Sequence, residues 1–507
     1  MKKGLSLIAA TLVSALAFGM NHNLAWPWGN PPRCSPPQSP LFAFYNRANT
    51  TMLFDGGDEI EIYCQAQVRP GSGLSWTLAH NMVVKPFLAG EAEDLPANLF
   101  RIVIPTKDLA PGFYDLRVKL EGIGYNRLDL FAKKPRDGKG DVKVQSVPPE
   151  GMCTFGWKAE EMALPAPEYR PADFRAFWDK AYGDYCAKVP LDARVESPEL
   201  TFDAKAVETY NVTNACLPPC FDPKGVKYDE VVSYKVSWAG PDGGRVYANL
   251  ARPKAEGRYP AMLVLPGAGT GPRPRPLDHA RHGYVAIDVQ VHGLDTDITN
   301  GYKVAGYNGV PSKYADHAPE HCCWYPIYLR AARGVDYLVS LPFVDASRIV
   351  CCGGSQGGRL SSCVPAIDRR VAATIPAIAH GANEPYLWWF KRQNGFAHPE
   401  DRKPDPALVP GDGHAVFADA VKPVDDPAFE QYRYFDPMNF APDVTCPVYM
   451  NMGLMDPCSY APGVWAIYTR MASADKTLVP IAGHAHDWFP AFDRAAYRWL
   501  GKVLKTR

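Results

Sequence analysis

A serine between glycines, in the stretch GGSQG at residues 353–357, has the residue types that acyl transfer needs. The stretch fits the pattern G-x-S-x-G, follows the apolar run RIVCC and precedes a predicted helix. In that setting the glycines allow a sharp strand-to-helix turn, which holds the serine hydroxyl at an exposed bend. The start of the helix favours negative charge that develops beside the serine. We therefore predict that Ser355 is a nucleophile; a glycine turn without chemistry is the alternative.

An acid and a base follow Ser355 in the order that this motif accompanies. Asp456 comes soon after the apolar run VYMNMGL, and His484 comes directly after TLVPIAG. A serine hydroxyl becomes nucleophilic when a base removes its proton, and the expected chain order is Ser, Asp, His. Because all three residues end predicted strands, they would share one edge of a parallel sheet. The sequence predicts a triad in which His484 is the base and Asp456 fixes its tautomer.

Each partner of Ser355 has a rival in the sequence. His486 lies two residues beyond His484 and could act as the base. Asp436, in YFDPMN, is a second candidate acid, although it follows no clear strand. Asp456 could instead cap the following turn with its short side chain, as aspartates often do. The residue types alone leave these alternatives open.

Two backbone N–H groups are predicted to stabilise the oxyanion of the tetrahedral intermediate. The first belongs to Gln356, the residue directly after the nucleophile. The second should come from the loop after an early strand, and LPGAGTGP at 265–272 has that place, with Ala268 as the donor. A plain glycine-rich turn is the other interpretation of this loop. A phosphate-binding loop is excluded, because the lysine and the glycine spacing of such loops are absent.

Continuous apolar runs, with helical segments between them, must position these residues. The runs lie at 261–266, 284–291, 348–354, 371–378, 448–454 and 477–483. Runs without alternation are typical of strands that are buried on both faces. Helical patterns lie between them at 324–341, after Ser355 and at 462–473, with another at 492–504. This alternation indicates a mostly parallel sheet wrapped by helices, in an α/β catalytic domain at 161–507.

The N-terminal part of the chain has a different pattern. Short runs of alternating polar and apolar residues, such as GFYDLRVKL, are separated by turn residues between positions 41 and 132. The spacing predicts an immunoglobulin-like β-sandwich at residues 26–135. A stretch rich in charge, glycine and proline follows and predicts a linker at 136–160. Since the sandwich lacks clustered histidines, cysteines or paired carboxylates, we expect it to be a packing or binding module.

The first residues predict export. Two lysines precede a short apolar run, and small residues with cleavage-site spacing end at Ala17 and at Ala25. This is the pattern of a secretory signal peptide, which we assign to residues 1–25. The apolar run is too short for a membrane anchor, and no later run of about 18 apolar residues occurs. We predict a soluble protein that is secreted or periplasmic and has no membrane partner.

Charge and cysteine content exclude further classes. Lys+Arg and Asp+Glu number 54 each, so no basic excess is present to neutralise a nucleic acid backbone. The 13 cysteines are too sparse for a disulfide scaffold in a chain of 507 residues. Cys216 and Cys220 in CLPPC could pair across the bend that two prolines impose. No cysteines or histidines have the spacing of a zinc site, and we predict no metal ligands.

Three stretches resemble the acetyl xylan esterase and cephalosporin C deacetylase family of α/β-hydrolases. The strongest likeness is in YLRAARGVDYLVSLPFVDASRIVCCGGSQGG, and PADFRAFW and YFDPMNFAPDVTCPVYMNMGLMDPCSY are similar to other family segments. The resemblance covers roughly residues 165–507 and implies an α/β-hydrolase fold. It also implies the roles given above: Ser355 as nucleophile, Asp456 as acid, His484 as base, and Ala268 and Gln356 as oxyanion positions.

The chain departs from the family pattern at three places. Gln290, Val291 and His292 stand where the family usually carries Arg-Gly-Gln, which makes His292 a candidate substrate contact. Ala485 replaces the glutamate that usually follows the base. Pro-Gly-Ala at 266–268 replaces the usual His-Gly-Tyr of the oxyanion loop. The departures concern the acyl and alcohol pockets rather than the triad.

The segment 380–433, with the sequence YLWWF and several prolines and glycines, is predicted to form a cap over the site. Trp388 and Trp389 are candidate substrate contacts in this cap, because indole rings stack on sugars. The alternative is that these side chains give hydrophobic cover only.

The residues and the resemblance together predict a secreted serine esterase. Ser355 would attack an acetyl ester of a plant polysaccharide such as acetyl xylan, or of its oligosaccharides, and form an acyl-enzyme. No metal or organic cofactor is required, and the partner is an acetylated carbohydrate or another small ester. The resemblance implies homo-oligomers, although the added N-terminal domain could block those surfaces. The alternatives are a hydrolase of bulkier acyl esters or peptides, and a carbohydrate-binding relative without catalysis.

Overall fold

A computed structural model describes residues 42–66, 73–121, 132–133, 143–144, 150–214, 221, 224–298, 318–396, 405, 417 and 427–505. The predicted signal peptide and the predicted pair of Cys216 and Cys220 lie outside the described residues. The chain divides into two units. The smaller comprises residues 1–163, 387–421 and 481–487, and the larger comprises 164–386, 422–480 and 488–507.

The smaller unit is built from two β-sheets and a short strand pair. Its strands are β1 (Phe42–Tyr45), β2 (Leu53–Phe54), β3 (Glu59–Ala66), β4 (Gly73–His80), β5 (Leu88–Glu91), β6 (Glu93–Leu95), β7 (Leu99–Pro105), β8 (Gly112–Glu121), β9 (Ala132–Lys133), β10 (Lys143–Val144) and β11 (Glu150–Trp157). The sheet orders are β1-β3-β7-β6 and β2-β11-β8-β4-β5, and β9 pairs with β10. Neighbouring strands are antiparallel except β2 and β11.

Alternation along the strands creates the core of this unit. In β7, LFRIVIP, every second residue is buried, and Ile102 and Ile104 are withdrawn from water completely. Ile62 of β3 and Leu78 of β4 are buried in the same way, so both sheets contribute an apolar face. The predicted β-sandwich is therefore confirmed as the N-terminal fold.

The predicted linker at 136–160 ends in a strand of the sandwich. Residues Glu150–Trp157 form β11, which pairs along β8 and, at its end, with β2. Every residue of β11 except Glu150 is buried. The structure differs from the prediction because the apolar residues MCTFGW complete a sheet, whereas the preceding charges and prolines indicated a linker.

A segment distant in sequence joins the sandwich within the smaller unit. Asn394 donates a hydrogen bond from Nδ2 to the carbonyl of Met82 (2.7 Å) and accepts one at Oδ1 from the N–H of Val84 (2.7 Å). The amide therefore satisfies backbone groups of the loop after β4, as a neighbouring strand would. Residues 387–421 of the predicted cap thus belong to the sandwich unit.

A ten-stranded mixed sheet forms the centre of the larger unit. Its strands are β12 (Arg194–Val195), β13 (Leu200–Asp203), β14 (Glu230–Ala239), β15 (Arg245–Pro253), β16 (Tyr259–Val264), β17 (Val285–Gln290), β18 (Val344–Gly354), β19 (Val371–Ala377), β20 (Val448–Gly453) and β21 (Lys476–Ile481). The order is β12-β14-β15-β17-β16-β18-β19-β20-β21, and β13 pairs with β14. Strands β14, β15 and β17 pair antiparallel, whereas β17, β16, β18, β19 and β20 run parallel.

The described helices precede the sheet, connect its strands or follow its last strand. They are α1 (Phe174–Lys188), α2 (Ala204–Thr213), α3 (Leu277–Arg281), α4 (Trp324–Val339), α5 (Gln356–Ile367), α6 (Glu384–Gln393), α7 (Pro427–Arg433), α8 (Pro437–Phe440), α9 (Ala461–Arg470) and α10 (Pro490–Val503). Short 3-10 helices occur at Ala159–Glu161, Pro167–Tyr169, Pro319–His321 and Ala441–Asp443. Within the part of the chain that the structure describes, no helix has both the length and the apolar character to cross a membrane.

The six predicted apolar runs correspond to β16 through β21, and the predicted α/β-hydrolase fold is confirmed. All six residues of β17 are buried, as are all twelve of α5, which packs against β18 and β19. Strands enclosed on both faces cannot alternate polar and apolar residues, which explains why the runs are continuous. The carboxyl ends of β16, β18, β19 and β20 therefore lie along one edge of the sheet.

Candidate active site

Ser355 occupies the sharp turn between β18 and α5. Its backbone has φ 60° and ψ −118°, a left-handed conformation that is costly for a residue with a side chain. The N–H of Ser355 donates to the carbonyl of Ala377 (3.0 Å), and its own carbonyl accepts from the N–H of Arg359 (2.9 Å). These bonds hold the strained turn in place. The strand, turn and helix that the motif predicted are present around Ser355.

The glycines around Ser355 are required by close backbone contacts. A Cβ at Gly353 or Gly357 would overlap the carbonyl oxygen of Leu265, and one at Gly358 would overlap that of Ala377. Any larger residue would therefore push the neighbouring segments away from the turn. The turn can sit this close to both segments only because these positions lack side chains.

The predicted oxyanion loop lies directly beside the serine turn. The N–H of Leu265, the first residue after β16, donates to the carbonyl of Cys352 in β18 (2.8 Å). Gly357 in α5 faces the backbone of residues 265 and 266. Ala268 is exposed in this loop, whereas Gln356 is buried. The structure thus brings together the two segments that carry the predicted oxyanion donors.

His292 lies against Gln356 through its side chain. The Nε2 atoms of the two residues are 3.2 Å apart. Burial and, to a smaller extent, the charges of Arg330 and Arg273 lower the pKa of His292 to about 4. The ring is therefore neutral at ordinary pH. His292 was predicted as a substrate contact, and the contact that the structure gives it is with the residue after the nucleophile.

Asp456 lies in the turn that follows β20, two strands from β18. Its Oδ1 accepts hydrogen bonds from the N–H groups of Cys458 (2.8 Å) and Ser459 (2.7 Å), which fixes the orientation of the buried carboxylate. The hydroxyl of Ser459 in turn donates to the carbonyl of Ile378, just beyond β19 (2.7 Å). Asp456 therefore caps this turn, as the alternative interpretation predicted. The capping contact is compatible with a role of Asp456 as the acid. Ser355 and Asp456 end strands at the same sheet edge.

Asp436, the rival acid, serves the packing of the larger unit. Its carboxylate accepts from the hydroxyl of Tyr169 (2.9 Å) and from the N–H groups of Asn383 (3.2 Å), Glu384 (3.0 Å) and Met438 (2.9 Å). One of these donors belongs to the first turn of α8, of which Asp436 is the N-cap. With four donors and complete burial, Asp436 has the contacts of a structural carboxylate.

His484 lies in the turn directly after β21, within the segment 481–487 of the smaller unit. The turn passes through Gly483 at φ 71°, a conformation that favours glycine. Burial lowers the pKa of His484, and the nearby charge of Asp487 opposes this effect. A neutral imidazole is the form that accepts a proton from a serine hydroxyl. His486, the rival base, is also half-buried in this turn.

The two tryptophans of the predicted cap are buried on α6. Trp388 is 6% exposed and Trp389 is 4% exposed. The ring of Trp389 packs edge-on against His80 (5.7 Å between centroids) and Phe417 (5.9 Å) within the smaller unit. This packing favours hydrophobic cover over a sugar platform for these residues.

Sequence reasoning missed two charged residues that act on His292, the buried Arg330 and the half-buried Arg273. Arg330, on α4, donates to the carbonyl of Val291 (3.1 Å) and to the carboxylate of Asp242 (2.6 Å). Arg273 donates to the buried carboxylate of Asp288 (2.6 Å). A signal for Arg330 exists in the sequence, because a charged residue interrupts the apolar stretch IYLRAA of a helix that packs inward.

Comparisons with known proteins show which family the chain is similar to. The chain matches the acetyl xylan esterase (AXE1) family over residues 214–503, more than half of its length. It is 28% identical over 359 residues to the acetyl esterase Axe7A of Xylanibacter ruminicola, covering 66% of this chain and 68% of that one. Among solved structures, it is similar to an acetyl xylan esterase from a Paenibacillus species, with 21% identity, TM-score 0.47 and coverage of 66% of this chain and 97% of that one. Acetyl xylan esterase 1 from a Thermoanaerobacterium species gives 18% identity, TM-score 0.46 and coverage of 68% and 99%.

The matched residues 214–503 contain the serine turn, the loop after β16 and the turns after β20 and β21. Each segment to which we assigned chemistry therefore falls inside the region shared with the family. The chain belongs to the acetyl xylan esterase family and is a serine carboxylic-ester hydrolase.

Proposed function

We propose that the protein removes acetyl groups from a plant polysaccharide such as acetyl xylan, or from its oligosaccharides, through the triad Ser355, His484 and Asp456. The observation that carries this proposal is the strained backbone of Ser355, at φ 60°, on a strand-to-helix turn beside the loop 265–272. Strain of this kind is retained where the surrounding structure gains a reactive position from it. The acetyl preference is supported by the family to which the chain belongs.

In the proposed reaction, His484 takes the proton from the Ser355 hydroxyl as its oxygen attacks the ester carbonyl. The oxyanion that forms accepts hydrogen bonds from the N–H groups of Gln356 and Ala268. His484 then gives its proton to the leaving alcohol, and an acetyl-enzyme remains on Ser355. Water attacks this ester by the same route, with His484 as base, and releases acetate. Asp456 stabilises the imidazolium in both halves of the reaction.

Replacement of the nucleophile tests the proposal directly. Ser355→Ala should reduce hydrolysis of 4-nitrophenyl acetate and of acetylated xylo-oligosaccharides by at least about a thousandfold. The variant should also lose covalent labelling by a serine-directed fluorophosphonate. Ser347→Ala, which alters an exposed serine of the same unit, is the matched control and should keep both properties. Hydrolysis or labelling that survives in Ser355→Ala contradicts the assignment.

Two further variants test which histidine is the base. We expect His484→Ala to lose activity to a similar extent as the nucleophile variant, and His486→Ala to keep most of it. The reverse result would move the base to His486 and leave the nucleophile in place. A series of 4-nitrophenyl esters from acetate to octanoate, measured with the wild type, tests the acetyl preference. A rise in kcat/KM with acyl length would contradict it.

The pattern of residues 1–25 supports export as part of the proposed function, because a polysaccharide substrate lies outside the cytoplasm. Expression of the full chain in a bacterial host should release a mature protein that begins after Ala17 or Ala25. The intact mass of the protein from the periplasmic fraction or the medium measures this. An uncleaved chain that stays in the cytoplasm would argue against it.

A further inference from the structure

We propose that Gln290 and His292 are positioning residues that hold the two oxyanion segments at a fixed separation. The inference rests on the proposed function, because it takes the loop 265–272 and Gln356 as the oxyanion site. Gln290 ends β17, and His292 follows it in the adjoining turn. Neither residue carries a role in the proton transfers described above.

The side chain of Gln290 connects the oxyanion loop to the end of β17 by a hydrogen bond. This side chain is completely buried. The Nε2 amide donates to the carbonyl of Gly271 (3.0 Å), three residues beyond Ala268. Its Oε1 accepts from the backbone N–H of His292 (3.3 Å). One side chain therefore joins the oxyanion loop to the turn that carries His292.

His292 continues this connection to the serine turn. The amide nitrogen of Gln356 is a donor only, so the ring nitrogen at 3.2 Å must accept. This requires a neutral ring with an unprotonated Nε2. Gln356 begins α5, and its backbone N–H is the proposed donor next to the nucleophile. Hydrogen bonds thus run from Gly271 through Gln290 and His292 to Gln356.

The charged groups around His292 favour the neutral ring. Arg330 approaches from α4 and is paired with Asp242, while Arg273 approaches from the loop after β16 and is paired with Asp288. Burial disfavours a positive charge on the imidazole, and two guanidinium groups near it act in the same direction. Arg330 also donates to the carbonyl of Val291, which holds the turn between the two positioning residues (3.1 Å).

Fixed separation matters because an oxyanion site accelerates acyl transfer only when its donors are already in place. Displacement of a donor by about 1 Å can cost up to a hundredfold in rate. The strain at Ser355 and the glycine contacts set the approach of the two segments, and the side chains of Gln290 and His292 prevent them from sliding. Loss of these side-chain contacts should reduce stabilisation of the transition state and leave substrate binding unchanged.

The test is a set of variants at position 292, measured on 4-nitrophenyl acetate. His292→Phe keeps the ring shape and removes the acceptor, and we expect kcat to fall about tenfold with KM within about twofold. The Ki of a trifluoromethyl ketone, which forms an oxyanion adduct with the serine, should rise by the same factor. His292→Gln restores an acceptor oxygen and should recover kcat to within about threefold of the wild type. Gln290→Met should reproduce the kcat defect of His292→Phe.

The matched control is His279→Phe, which removes another buried histidine whose Nε2 is bonded to a side chain, the hydroxyl of Tyr497 (3.0 Å). It should lower the melting temperature without the selective loss of kcat. The inference is overturned if His292→Phe keeps kcat within twofold, if KM alone rises, or if His292→Gln is no better than His292→Phe. A failure of the proposed function would be recognised by a different result, because Ser355→Ala would then keep hydrolysis or fluorophosphonate labelling.

Discussion

Glu384 is a buried carboxyl whose replacement should make the protein more resistant to alkaline conditions. It is the first residue of α6, and its side chain is nearly inaccessible. Burial and, to a smaller extent, the charge of Asp436 raise the pKa of Glu384 from 4.5 to about 8, although the charge of Arg359 opposes them. The folded protein therefore keeps a proton on Glu384 at neutral pH. Glu384→Gln mimics that protonated form without the ability to ionise.

The direction of the pH effect follows from proton binding. Because the pKa is higher in the folded state, the folded protein binds the extra proton between pH 4.5 and about 8, and its stability falls as the pH rises through this window. The difference between 8 and 4.5, at about 1.4 kcal/mol per pH unit, gives a cost of roughly 5 kcal/mol above pH 8. Below pH 4.5 both states are protonated and the cost disappears.

The assay is urea unfolding of wild type and Glu384→Gln from pH 4.5 to pH 9. We expect the free energy of unfolding of the variant, relative to wild type, to increase by about 5 kcal/mol across this range. Glu208→Gln makes the same chemical change at an exposed position on α2 and is the matched control. A constant difference between Glu384→Gln and wild type, or one that shrinks as the pH rises, refutes the reasoning.

Three further results are expected. Asp456→Asn should lower kcat by about three to four orders of magnitude, whereas Asp436→Asn should keep kcat within a few fold and lower the free energy of unfolding by about 1.5–3 kcal/mol; equal kcat losses would contradict the separation of their roles. Gly357→Ala should cost about 1–3 kcal/mol of stability and lower kcat, because its Cβ would displace the oxyanion loop. Gly501→Ala, in open space on α10, is the control and should be neutral or slightly stabilising, and equal melting temperatures of the two variants would contradict this. The acid limb of kcat/KM should have an apparent pKa below 6.5, because burial lowers the pKa of His484 and the neutral form is active; a pH–rate profile with its acid limb above 6.5 would exclude His484 as that group.

Local patterns in the sequence were sufficient for the serine turn and for the central sheet. The motif at 353–357 requires glycines on both sides of Ser355, and each has a close backbone contact that explains it. The continuous apolar runs predicted β16 to β21 because strands covered on both faces exclude polar residues. Such features depend on residues that are close together in the sequence, so they can be recognised from the sequence alone.

The boundary of the sandwich could not be read in this way. The residues MCTFGW of β11 fall in a stretch predicted as linker, and only pairing with β8 makes them part of a sheet. Similarly, Asn394 completes the loop after β4 from a position more than 300 residues away. Hydrogen bonds between distant segments produce no periodic pattern in the sequence of either segment. Each segment carries only the donor or only the acceptor, so its partner cannot be identified locally.

The sequence by itself determined the fold class, the nucleophile candidate and the positions of its candidate partners along the chain. Only the tertiary structure decided that Asp436 supports packing while Asp456 lies at the edge of the sheet, and that His292 contacts Gln356. The physical reason is that the role of a polar side chain depends on which donors and charges surround it once it is buried. Those neighbours come from strands and helices far apart in the chain, and folding alone brings them together.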